Sequence, residues 1–132
     1  MIALDTNVIV RFLIKDDEKQ ALCVYKRFKQ AESKKERFFI PLPILLETLW
    51  VLESAYKIGR IDILNSLEAL SQMPIIEFEA NCVLEQLIIE GRNTNLDLSD
   101  ILIAYASRNS GCSSVLTFDK KASRLSLFQL LE

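Results

Sequence analysis

Four short apolar runs, at residues 2–4, 38–40, 75–78 and 115–118, punctuate the chain, and the stretches between them carry apolar residues at helical spacing. Runs this short cannot return on themselves as hairpins when about ten or more helical residues separate them. Each strand must instead cross over through a helix and pair in parallel, and a parallel sheet needs cover on both faces. The pattern predicts an α/β fold, a three-layer α/β/α sandwich whose central parallel sheet has four to five strands, the last an edge strand around Phe128. A site in such a fold forms at the ends of the strands.

The helices follow from their start and stop signals. Asp5, Thr6 and Asn7 offer three capping side chains before a helix at 8–14, and Asp16 opens a second that runs to about residue 33. Pro41 and Pro43 end the second strand and suit entry to a helix at about 43–57. Gly59 fits the C-terminal position of that helix, ahead of another at 61–71. Further helices are predicted at about 79–90, ending at Gly91, and at 98–108, closed by Gly111. With 132 residues and neither repeats nor linkers, the chain is expected to be one domain, 1–132.

Composition narrows the chemistry. There is no histidine, so every site that needs a His base or a His metal ligand is excluded. Cys23, Cys82 and Cys112 are odd in number, lack metal-site spacing and read as reduced packing residues. No run of 18 apolar residues is present to span a membrane and the N-terminus has no leader character, so a soluble cytoplasmic protein is expected.

Acids remain. Asp5 ends the first strand and Asp119 the fourth, so a parallel sheet would bring both to one edge. Glu47 lies in PLPILLETLWVL among apolar neighbours, with no Lys or Arg between residues 40 and 53, and a buried carboxylate there would need compensation from elsewhere. Asp97 and Asp100 share one helix start, where capping and first-turn charge also explain them. Carboxylates converging on one edge repel unless protonated or bridged, and hard oxygen donors without His point to Mg2+ or Mn2+.

The four blocks MIALDTNVIVRFLIKDD, PLPILLETLWVL, DLSDILIAYA and LTFDKKASR, in this order and spacing, resemble the PIN-domain family, in particular VapC-type toxin ribonucleases of toxin–antitoxin pairs. The resemblance covers essentially the whole chain. It implies a metal-dependent endoribonuclease that leaves 5′-phosphate and 3′-hydroxyl ends. Its catalytic acids fall on Asp5, Glu47, Asp100 and Asp119, with Asp97 as an additional metal ligand and Thr6 and Asn7 supporting the first Asp. It also implies an RNA substrate, a small VapB-type antitoxin and a homodimer. A noncatalytic RNA-binding or protein-interaction domain of the same fold is the alternative. A haloacid-dehalogenase-like phosphatase would need an acid where Asn7 stands.

Charge is uneven. Residues 26–37 hold six cations against Glu32 and Glu36, whereas 62–100 hold eight acids and only Arg92. Without Asp5, Glu47, Asp100 and Asp119 the formal net charge of -2 becomes +2, so the acidic total does not exclude RNA. Arg11, Lys15, Lys120, Lys121 and Arg124 follow the first and last acidic blocks and are candidate phosphate contacts. The 26–37 cluster reads as a helix surface and loop rather than an RNA groove.

Overall fold

The computed structural model describes residues 1–132, and the chain divides by its internal contacts into two compact units, Met1–Asn81 and Cys82–Glu132. The fold is α/β, and every strand pair is parallel.

In the first unit, β1 (Ile2–Ala3), β2 (Phe38–Ile40) and β3 (Ile76–Phe78) pair side by side in chain order. Helices α1 (Thr6–Ile14) and α2 (Glu18–Lys34) connect β1 to β2, and α3 (Leu42–Ser54) and α4 (Arg60–Ser71) connect β2 to β3. Phe38 and Ile40 of β2 and Ile76 and Phe78 of β3 point into the core, while Phe39 and Glu77 between them are half-buried. The core is completed by Ile9 and Val10 of α1, Val24 and Phe28 of α2, Leu45, Leu49 and Leu52 of α3, and Ile63, Leu64, Leu67 and Leu70 of α4. Each such side chain contributes roughly 1.5–3 kcal/mol through burial.

In the second unit, α5 (Asn81–Asn93) and α6 (Leu98–Asn109) precede β4 (Val115–Thr117), a 3-10 turn at Ala122–Arg124 and β5 (Phe128–Leu130). Val83, Leu84, Leu87 and Ile88 of α5 and Leu98, Ile101, Leu102 and Tyr105 of α6 are buried. The Tyr105 hydroxyl donates to Glu90 Oε1 at 2.9 Å, tying α6 to α5. Burial and then the hydrogen bond to Glu90 hold the Tyr105 hydroxyl above its ordinary pKa.

Five strands form where apolar runs predicted them, but their hydrogen bonding closes as one three-stranded and one two-stranded sheet, not one ladder of four to five. Three local expectations are corrected. Gly59 is the N-cap of α4, and the left-handed residue after α3 is Lys57, with φ 52°. Gly91 is buried inside α5, which runs on to Asn93, so it does not terminate the helix. Cys23, Cys82 and Cys112 are all exposed thiols rather than packing residues. Gly111 does close α6, at φ 97°, where a side chain would be strained.

Candidate active site

In the first unit the register decides which residues meet at the sheet edge. Ile2 pairs with Phe38 and Phe38 with Ile76, so continuing the ladder brings Asp5, Pro41 and Glu79 level, one step past the last β2–β3 pair and two past the last β1–β2 pair. Asp5 is exposed and is the N-cap of α1; its Oδ1 accepts from the Thr6 amide at 2.8 Å. That bond fixes one carboxylate oxygen at the N-terminus of α1. Thr6 beside it is 2% exposed, and its hydroxyl oxygen is buried with no hydrogen-bond partner. An orphaned buried hydroxyl is costly, so it marks a place where a further polar group would be satisfied. Asn7 is exposed.

Glu47 lies in the second turn of α3, whose first residues follow directly from β2. It is exposed, which overturns the expectation of a carboxylate needing buried compensation. The inward face of α3 is set by Leu45, Thr48, Leu49 and Leu52, and Thr48 closes its own hydroxyl on Ile44 O at 2.7 Å. Glu47 shares the outward face with Trp50, 62% exposed, one turn further on. Pro41 supplies no side-chain cap to α3. Glu79 does so instead, accepting from the Leu42 amide at 3.0 Å while its own amide donates to Ile40 O. Glu79 was not singled out from sequence, although an acid directly after the third strand, like Asp5 after the first, was the available signal.

The second unit gathers three acids electrostatically. Asp97 is the N-cap residue of α6 but makes no capping hydrogen bond with its side chain, which lies 3.8 Å from Lys121 Nζ. Asp100 is half-buried in the first turn of the same helix. Burial, then the negative charges of Asp97 and Asp119, push the Asp100 carboxyl above its ordinary pKa, and Lys121 only partly offsets them. Asp119 follows β4, and its Oδ1 accepts from the amides of Lys121 at 2.8 Å and Ala122 at 3.2 Å, so one oxygen orders the 3-10 turn. No group of three or more Asp, Glu or Cys donors stands close enough to form a closed ion cage. The donor chemistry nevertheless fits a hard divalent cation: oxygen donors only, and an Asp100 carboxyl whose raised pKa a nearby positive charge would reverse.

The cations divide. Arg11 is held within the first unit, its Nε donating to Gln20 Oε1 at 2.7 Å and its Nη1 to Tyr56 Oη at 2.9 Å and Asp16 Oδ1 at 3.3 Å. The hydrogen bond to Tyr56 is the main reason its pKa is raised. Lys15 is an exposed left-handed cap of α1, and Lys120, Lys121 and Arg124 are exposed around the 3-10 turn. In the 26–37 cluster, Arg27 pairs with Glu36 and lies over the Phe38 ring, Lys29 pairs with Glu32, and Arg37 pairs with Glu77. These are contacts of a helix surface and its following loop.

Against known proteins, the family profile of the PIN domain matches residues 2–127, a span that takes in every acid named above. The chain is also similar to a VapC ribonuclease of Aquifex aeolicus (strain VF5), 25% identical over 122 residues, covering 92% of this chain and 90% of that protein.

Proposed function

The chain belongs to the PIN-domain family, and from that premise we propose that it is a metal-dependent endoribonuclease, the toxin of a toxin–antitoxin pair. The match across residues 2–127 carries this reading, and the likeness to a VapC ribonuclease supports RNA as the substrate. Residues 1–132 act as one nuclease domain in it. The acids proposed as catalytic and metal-ligating are Asp5, Glu47, Asp100 and Asp119, with Asp97 as a further ligand; the cation is Mg2+ or Mn2+.

When bound, the cation supplies charge neutralisation at the phosphate and a more acidic attacking water. The rest belongs to the chain. Asp5 presents a carboxylate already oriented by the α1 amide, so little reorganisation is needed at the moment of reaction. Thr6 offers a buried hydroxyl to a water or to Asp5, and Asn7 an exposed amide. Asp100 and Asp97 hold charge on one helix turn, and Asp119 keeps one oxygen free while the other orders the turn bearing Lys120 and Lys121. Lys15, Lys120, Lys121, Arg124 and Arg11 are the proposed phosphate contacts. Water adds to phosphorus, the bond to the 3′ oxygen breaks, and that oxygen leaves with a proton as a 3′-hydroxyl, giving a 5′-phosphate on the other fragment.

A VapB-type antitoxin, a homodimeric state and action in the cytoplasm complete the reading; no helix is long and apolar enough to cross a membrane. Cleavage of a total-RNA panel with Mn2+ or Mg2+ tests it, read by mapping new 5′-phosphate ends. Asp5→Asn and Asp100→Asn, folded by circular dichroism, are expected to lose more than the ~10- to 100-fold that removal of a supporting group costs. RNA left intact by wild-type protein across the panel, with either metal, would favour a noncatalytic binding domain.

A further inference from the structure

Phe118 is 79% exposed, the most exposed large apolar side chain in the chain. A phenylalanine left in water forfeits the burial that would stabilise the fold, and its ring is free to meet a partner. It is not on a loose loop. On one side Thr117 belongs to β4, pairs with Leu130 and accepts the Leu131 amide at 2.7 Å. On the other, the Asp119 amide donates to Thr117 Oγ1 at 3.0 Å and the Asp119 carboxylate accepts from the amides of Lys121 and Ala122. The backbone on both sides of the ring is therefore pinned, so that ordering the ring on a partner costs only the freedom of its own side chain.

Asp119 is the next residue in the chain, and the exposed cations Lys120, Lys121 and Arg124 follow within six positions. Unpaired RNA is recognised by stacking bases on aromatic faces beside cations that track the phosphates. We propose that Phe118 is a specificity-determining residue that stacks on an unpaired nucleobase next to the scissile phosphate. This rests on the ribonuclease reading. The charge of the neighbouring side chains favours a polyanion over an apolar protein partner.

The test compares wild-type protein with Phe118→Ala, Phe118→Leu and Phe118→Trp on single-stranded RNA oligonucleotides, including a series in which each nucleotide near the cleavage site is made abasic in turn. Cleavage is followed with Mn2+, and binding by fluorescence anisotropy in an Asp100→Asn background. Phe118→Ala is expected to raise KM and Kd by about 10-fold or more with a smaller effect on kcat, Phe118→Trp to retain binding, and Phe118→Leu to resemble Ala. One abasic position should weaken wild type by a similar factor and leave Phe118→Ala no worse. Unchanged KM and Kd in Phe118→Ala, or full rescue by Leu, overturns the stacking role and leaves the nuclease intact. Wild-type protein that neither binds nor cleaves these RNAs removes the nuclease reading and this proposal together.

Discussion

Asp100 is a carboxylate held half-buried beside two others, with only Lys121 in opposition. Its charge costs folding energy that a neutral side chain of the same shape does not. Asp100→Asn is therefore expected to raise the Tm of metal-free protein by a few degrees and to show none of the gain in Tm that wild type is expected to show on adding Mn2+. Thermal melts by circular dichroism with and without the metal check both halves. A Tm unchanged or lowered in metal-free Asp100→Asn would mean that the three charges are not felt by the fold. Asp5 differs, because its carboxylate caps α1 by accepting from the Thr6 amide, so Asp5→Asn should bring no such gain.

At the level of elements, α3 owes its N-terminal cap to a residue from another strand end. Removing it in Glu79→Ala should cost about 1 kcal/mol, read from the urea midpoint, and Glu79→Gln, which keeps an acceptor, should cost less. The pair between α5 and α6 sets an alkaline limit. The folded Tyr105 pKa lies above its unfolded value, so its contribution is complete below about pH 10 and is lost as pH rises through the folded value. Tyr105→Phe should be less stable at neutral pH by about 1 kcal/mol and lose less on going alkaline, as denaturant titrations at pH 7 and 11 would reveal. Strands and helices were legible because their periodicity is local. The rotation of α3 was not: Leu46 and Trp50 are apolar on the outward side, so nothing in PLPILLETLWVL distinguished the inward face from the one carrying Glu47. Gly91 misled for a related reason, since a glycine buried within a helix and one that stops a helix look alike in sequence.

Across the whole molecule, the order and spacing of the acidic blocks were readable from end to end, and the family profile spans the same range. Hydrogen bonding between strands was not, since an apolar run announces a strand without naming its neighbour, and the five strands close as two ladders. The fate of Arg11 was hidden too: its three partners lie up to 45 positions away, and only folding brings Tyr56 to it.

The surface thiols have a practical corollary. Cys23, Cys82 and Cys112 all face solvent and none is bridged. Without reductant, air oxidation can weld two copies together and imitate the assembly expected of this family. Light scattering on fresh protein in reductant should give one mass that persists in a triple Cys→Ser variant; a heavier species that vanishes on SDS gels containing dithiothreitol would be an artefact of storage.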